Sequence, residues 1–316
     1  LAPLAPDHAL WFADQNIPSE FVGQIHGLQT CCRTSIVYVT TDLGCFWELY
    51  NPRPDSGIPD NVNQQIQDRL AIGTNVLTYA TNRRLKEKLD RPQLSIDTSE
   101  TASVLRKTLK IPKVNHSGGA NEAPNALNNL LGSLQQEAGI RVSVGTHMVS
   151  LTDSIEQYPI LFVHGRRTFQ WTAAERQALR KYVESGGLLF ADSICASSQF
   201  AESFRREMRL TFPEQVLRRL PTEHELFTSD FGGFDVRQVT LRSPASQQDS
   251  SPSRINELKV TPHIEGIQLD GRLAVAFSPY DLSCALENQV SLECRGYIQK
   301  DAARVGSNIV IYALQQ

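Results

Sequence analysis

One stretch of this chain is written twice, and that limits what the chain can fold into. Gly27–Glu48 carries the run Ser35-Ile-Val-Tyr-Val39 and then Asp42-Leu-Gly-Cys45-Phe-Trp-Glu48. Gly266–Glu287 carries Leu273-Ala-Val-Ala-Phe277 and then Asp281-Leu-Ser-Cys284-Ala-Leu-Glu287. Two flanking blocks repeat in the same order. Leu1, Leu4, His8, Leu10 and Asp14 recur as Leu217, Leu220, His224, Leu226 and Asp230. Gly73, Asn75, Tyr79 and Ala80 recur as Gly306, Asn308, Tyr312 and Ala313. Collinear identities of this kind mark an internal repeat. The first copy starts where the second is already about half complete. Residues 1–82 therefore read as the C-terminal part of a first copy, whose N-terminal strands are expected in the parent protein outside this segment. Residues 83–103 read as a polar linker, and 104–316 as a complete domain.

The complete copy alternates strand and helix. Leu109–Val114 is expected as a first strand and Ile140–Val144 as a second, with Ala126, Leu127, Leu130, Leu131 and Leu134 at helical spacing between them. Pro159–Val163 and Leu188–Ala191 are continuous apolar runs, as strands buried on both faces require. Between them Thr172-Ala-Ala-Glu175 is a capping box, and Gly186-Gly187 stops the helix that it opens. Further helices are expected from about Gln199 to Leu210 and over Ala303–Leu314, a strand over Phe234–Leu241, and an exposed loop over Ser243–Ser253. The order predicts a doubly wound α/β sheet, mainly parallel, with helices on both faces.

Several blocks resemble a bacterial domain-of-unknown-function family, number 4159. They are Tyr158-Pro-Ile-Leu-Phe-Val-His164-Gly165, Arg176–Asp192, Ser203-Phe-Arg-Arg-Glu-Met208, Glu223-His224, Asp281-Leu-Ser-Cys284 and Gly306-Ser-Asn-Ile-Val-Ile-Tyr-Ala313. The resemblance covers about 104–316 and, by repetition, 1–82. It implies a flavodoxin-like fold of the class I glutamine-amidotransferase-like superfamily, and an exported or membrane-associated parent protein. It brings no established activity. Ser117-Gly118-Gly119-Ala-Asn121 stands where relatives carry a Gly-Gly-Asp-Trp-like turn, so an acidic and an aromatic residue are missing there.

In an open α/β sheet, ligands bind beyond the carboxyl ends of the strands. The residues expected there are Asn115, His116, His164, Arg166, Asp192, Ser193 and Cys195. A hydrolase or amidase would use Ser193 or Cys195 as nucleophile with His164 as base and Asp192 nearby. The turn Ala191-Asp-Ser-Ile-Cys195-Ala lacks the Gly-x-Cys-x-Gly elbow of the superfamily, so the sequence leans away from an enzyme. It favours a non-catalytic module that binds a small ligand or a partner protein, or else a purely structural repeat. His224 is a further ligand candidate, or a loop histidine bonded to backbone. Asp281 is another, or a helix cap with Cys284 packed beneath it. Asp281, Cys284 and Glu287 do not share a helix face, so no metal site is expected from them. Arg205 and Arg206 read as a solvated face, or else one of them reaches the site to bind a carboxylate. Gly118-Gly119 matches neither dinucleotide nor phosphate-loop patterns, and no cofactor is expected. Net charge is −3, which makes no case for nucleic acid, and no apolar run is long enough to span a bilayer. The compartment stays open, since the chain begins at Leu1 and its six cysteines show no framework spacing.

Overall fold

The computed structural model describes residues 1–6, 8–30, 33–50, 57–81, 108–143, 145, 147–243, 256–287 and 294–316. The expected linker 83–103, Cys31, Cys32 and nearly all of the expected loop Ser243–Ser253 lie outside the described residues. The chain divides into two compact units. The smaller holds Leu1–Pro92 with two short later segments, and the larger holds Gln93–Arg242, Glu257–Val290 and Cys294–Gln316.

The smaller unit has a three-stranded antiparallel sheet of β1 (Ala2–Pro3), β2 (Ile25–Thr30) and β3 (Arg33–Val39), in that order. Two helices follow, α1 (Gly44–Glu48) and α2 (Asp60–Thr81). Leu10, Trp11, Phe12, Phe21 and Ile25 form its core with Ile72 and Tyr79 of α2. Those two α2 residues lie seven apart, two turns along one helix face. Among the described residues β3 pairs only with β2, and it carries Ile36 and Tyr38 exposed.

The larger unit is built on a seven-stranded sheet. Its strands are β4 (Lys113–Val114), β5 (Met148–Val149), β6 (Ile160–Gly165), β7 (Leu188–Ser193), β8 (Arg218–Arg219), β11 (Glu265–Leu269) and β12 (Arg272–Ser278). Their order is β5-β4-β6-β7-β12-β11-β8. The first five are mutually parallel; at one edge β11 runs antiparallel to β12, and β8 antiparallel to β11. A small second sheet joins β9 (Val239–Ser243), β10 (Asn256–Val260) and β13 (Gly296–Tyr297). Every residue of β6 and β7 is buried, as the unbroken apolar runs predict.

The helices are α3 (Ala126–Ala138), α4 (Ala173–Glu184), α5 (Ser198–Thr211), α6 (Ser283–Leu286) and α7 (Gln299–Gln315). α4 opens on the complete Thr172–Glu175 capping box, and α3 ends at Gly139 in the left-handed conformation. α4 packs on α5, while α3 packs on α6 and α7. Leu161, Val163, Leu189, Ala191, Val275 and Phe277 meet Leu179, Phe200 and Phe204 of α4 and α5 in one core.

Three expected elements are corrected. Ile140–Val144 contributes only an isolated bridge, Leu109↔Val142, and the strand beside β4 is Met148–Val149. The alternating run at 109–114 shrinks to Lys113–Val114, and Phe234–Leu241 forms a strand only from Val239. In each case alternation marked a strand, but only the part facing a neighbour's backbone is paired. Arg205 and Arg206 also differ from expectation. Arg205 makes a bidentate pair with Glu265 of β11, and Arg206 bonds the Phe169 carbonyl and Glu207.

The two hairpins share their register. His26↔Tyr38, Gly27↔Val37 and Leu28↔Ile36 correspond to Glu265↔Phe277, Gly266↔Ala276 and Ile267↔Val275. An irregularity falls at the same step in both, between Leu28 and Gln29 and between Ile267 and Gln268. β1 meets β2 as β8 meets β11. Buried Asn75 bonds the backbone of Leu10, Asp14 and Gln15, and buried Asn308 bonds that of Leu226 and Phe234.

Candidate functional site

β4, β6, β7 and β12 run parallel as successive neighbours, so their carboxyl ends fall on one side of the sheet. His164 and Gly165 close β6 there, Asp192 and Ser193 close β7, and Asn115 and His116 follow β4. The strand ends and the preceding loop approach closely. A Cβ on Gly165 would lie 2.5 Å from the Gly118 carbonyl oxygen.

His164 is 1% exposed and both ring nitrogens are engaged. Nε2 lies 3.0 Å from the Ala120 carbonyl, which only accepts, so Nε2 carries the proton. Nδ1 therefore accepts from the Ser283 hydroxyl, at 2.9 Å. Burial, with the Lys113 charge adding to it, holds this imidazole down at about 3. His116 is arranged in the same way. Its Nδ1 accepts from the Gly118 N–H at 3.0 Å, so Nε2 donates to the His164 carbonyl at 3.0 Å. Burial holds it at about 4, and its ring lies against Phe169 and Phe200. Both histidines are neutral at physiological pH and tie the loop after β4 to the end of β6.

Asp192 is fully buried and serves backbone. Its two oxygens accept from the N–H groups of Leu282 and Ser283, at 3.0 and 2.9 Å. Asp281 is also fully buried. Its Oδ1 accepts from Cys195 N–H at 2.9 Å and Cys284 N–H at 3.1 Å, and its Oδ2 from Ala285 N–H at 3.1 Å. Burial raises both carboxyls above the usual range. The Asp281 charge pushes Asp192 further up, whereas backbone N–H groups pull against the rise in Asp281. The pair thus fixes the turn that starts α6 against the end of β7. Asp281 caps with Cys284 beneath it, as the sequence suggests.

Ser193 is buried and donates to the Ser197 carbonyl at 2.9 Å. Its hydroxyl and His164 are therefore not brought together. Cys195 follows in a left-handed conformation, φ 57°, which side chains other than glycine adopt rarely. Its sulfur lies 3.7 Å from Cys284 Sγ. Cys195, Asp281, Cys284 and Cys294 converge, with one donor atom from each lying within 4.8 Å of the others.

The outer residues divide. Asn115 is exposed and Arg166 half-buried at the rim, with Arg166 N–H bonded to the Gly118 carbonyl. His224 stands apart from them. Its Nδ1 accepts from Leu226 N–H at 3.1 Å and caps a short 3-10 turn, as His8 does toward Leu10. Burial lowers the basicity of His224. Of two further residues of this region, Lys113 escapes sequence reasoning and Glu287 takes a role other than the one considered for it there. Lys113 is 2% exposed and reaches the Pro124 carbonyl at 3.3 Å; burial lowers its basicity. Glu287 accepts from Asn125 and Ala126 N–H and so receives the start of α3. A lysine set inside the run Leu109–Val114 is the one available signal for Lys113. A cavity of about 490 Å³ lies at the opposite end of the strands, against Leu109, Ile140, Arg141, Tyr158 and Pro159. None of the carboxyl-end residues lines it.

A mixed α/β unit with a mainly parallel sheet and a tight polar corner at its carboxyl edge is thus the class of domain present. Residues 110–314 match the family model described as Domain of unknown function (DUF4159). The chain belongs to that family. No curated protein matches the sequence. Among the described residues no helix is long and apolar enough to cross a membrane.

Proposed function

We propose that this domain is a non-catalytic module of the amidotransferase-like, flavodoxin-like class that binds a small ligand or a partner protein, and that residues 1–82 close a preceding copy of it. The observation that carries the first part is the engagement of His164. A general base must reach its nucleophile. His164 instead spends both nitrogens on Ala120 and Ser283, while Ser193 spends its hydroxyl on Ser197. Polar groups that do face outward at the carboxyl edge, Asn115 and the neighbouring Ser117, suit binding rather than bond cleavage. The shared register of the two hairpins, with the paired asparagines, supports the second part.

The test is a panel of activated esters and γ-glutamyl amides, with fluorophosphonate and iodoacetamide probes applied to the native chain. The expected result is no turnover and no labelling of Ser193. Turnover that falls in both His164→Gln and Ser193→Ala would overturn the reading in favour of a hydrolase.

A further inference from the structure

We propose that β3 is the receiving edge for a parallel strand, and its outer face the seat of the helix after that strand, both supplied by a segment of the β7–α5 type in the same polypeptide. The partner follows from reading residues 1–82 as the end of a copy. The larger unit shows what occupies the equivalent places. There Val275, Ala276, Phe277 and Ser278 of β12 pair with Leu189, Phe190, Ala191 and Asp192 of β7. The shared hairpin register carries these four β12 positions onto Ile36, Val37, Tyr38 and Val39. Among the described residues that edge of β3 is unpaired. A row of backbone N–H and C=O groups on an apolar edge is a template for one more strand.

The two faces of β3 differ in the way this partner requires. Val37 and Val39 pack on the core of the smaller unit. Side chains alternate along a strand, so Ile36 and Tyr38 face the other way. They are 51% and 54% exposed, and Leu28, opposite Ile36 on β2, is 43% exposed. Their counterparts Val275, Phe277 and Ile267 are buried in one core with Phe200 and Phe204 of α5, and the Phe204 and Phe277 rings lie 4.6 Å apart. A polar group points to the same occupant. His26 stands where Glu265 takes the bidentate Arg205 of α5. Among the described residues its Nδ1 is buried without a hydrogen-bond partner.

These places define the partner's chemistry. Its strand is apolar and ends on an aspartate that reaches the N–H groups of Leu43 and Gly44, as Asp192 reaches those of Leu282 and Ser283. Its helix lays an aromatic face over Leu28, Ile36 and Tyr38, and a polar side chain in the place of Arg205 bonds His26. Residues 212–217 suffice to join α5 to β8, and Leu217 corresponds to Leu1. A connection that short places the segment in the same polypeptide, directly ahead of β1. A second copy of the chain does not supply it, because its own β7 is paired on both edges, with β6 and β12.

The test extends the full chain ahead of Leu1 with a duplicate of its own residues 187–216, carrying Cys195→Ser in the duplicate. The control extension has the same residues in reversed order. Amide hydrogen exchange is read over Ser35–Val39. Expected is slowing of about 10-fold or more with the direct extension and none with the reversed one. Tyr38→Asp, at an exposed position, should abolish the slowing and leave the unextended chain folded. The same residues 187–216 given as a free peptide to the unextended chain repeat the measurement, so a misfolded extension does not protect the proposal. No slowing in either format overturns the proposal and leaves the repeat, which rests on the shared register, in place. Equal slowing by direct and reversed sequences overturns the reading of residues 1–82 as the end of a copy, and the partner with it. A dimer of the unextended chain in sedimentation velocity, dissociated by Tyr38→Asp, puts a second copy on β3 and also overturns the proposal.

Discussion

The turn at Asp42–Glu48 and the turn at Asp281–Glu287 start from nearly the same sequence and end in different surroundings. Each follows a hairpin of identical register, and each aspartate accepts from the cysteine N–H three residues on, at 3.1 Å. The difference is the neighbour. β12 lies parallel to β7, and the end of β7 supplies Asp192 and Cys195 to the turn beyond it. Among the described residues β3 has no such partner, so Asp42, Cys45, Tyr38 and Trp47 are exposed. Local sequence thus suffices for the hairpin and the cap. Chemistry at the cap depends on a strand more than eighty residues away.

That contrast can be broken by paired substitutions. The largest effect is expected at Asp281→Ala, which strands three buried backbone donors. Loss of such partners should cost about 3–5 kcal/mol in urea unfolding. Asp42→Ala should leave the unfolding midpoint where it was, and an equal loss at the two sites would erase the distinction. Phe277→Ala removes a fully buried ring packed on Phe204 and should cost about 3–5 kcal/mol. Its register counterpart Tyr38 is 54% exposed, and Tyr38→Ala should change thermal unfolding little.

A third pair tests the similarity instead. Asn75 and Asn308 are fully buried and bond equivalent backbone. Each Asn→Ala change should destabilise its own unit by about 2–3 kcal/mol, read by hydrogen exchange in α2 and α7. Destabilisation at only one of them would sharpen the difference between the units.

The smallest effect is one of pH. His164 and His116 titrate at about 3 and 4 in the fold, below the ~6.5 of an unfolded histidine. The unfolded chain therefore binds more protons, and the stability they contribute is complete above pH ~6.5 and lost as pH falls toward the folded values. Each contributes a slope of roughly 1.4 kcal/mol per pH unit in that window. Asp192, with its carboxyl raised, works in the opposite sense, so the informative quantity is a difference. His164→Gln should flatten the fall in urea stability between pH 6.5 and 5 by about 1 kcal/mol per unit. An unchanged slope would mean that the imidazole is not buried neutral.

Much of this fold is legible in the sequence because its signals are local. The Thr172–Glu175 cap, the unbroken runs at 160 and 188 and the helical spacing from Ala126 each act within one element. The strand at Met148–Val149 was not legible, since two residues carry no period and only the neighbouring β4 makes them a strand. Asp270-Gly271 turns the β11–β12 hairpin with both residues at positive φ, a signal that was present and goes with such turns. For the site, chain order and the strand-end rule brought His164 and Asp192 to the correct edge. They did not reveal that each is committed to a partner, because Ser283 and Ala120 are distant in sequence from both. The cluster at Cys195 is hidden for the same reason. In the sequence Glu287 reads as a companion of Asp281, whereas Cys195 and Cys294 are the residues that lie close to it.

The bond from Cys195 N–H to Asp281 closes a loop of 86 residues. Closing so long a loop carries an entropic cost that β6, α4 and β7, consecutive in the chain, largely escape. The order of assembly follows. The β6–β7 pair can form as soon as α4 folds back, while the corner waits for β12 to arrive. Amides of Leu161–Phe190 should gain protection in pulse-labelled refolding before those of Leu282–Ala285. Simultaneous protection would mean that the β11–β12 hairpin docks as part of the first folding event. A corner completed last is also the part of the domain most readily left unfinished when folding is interrupted.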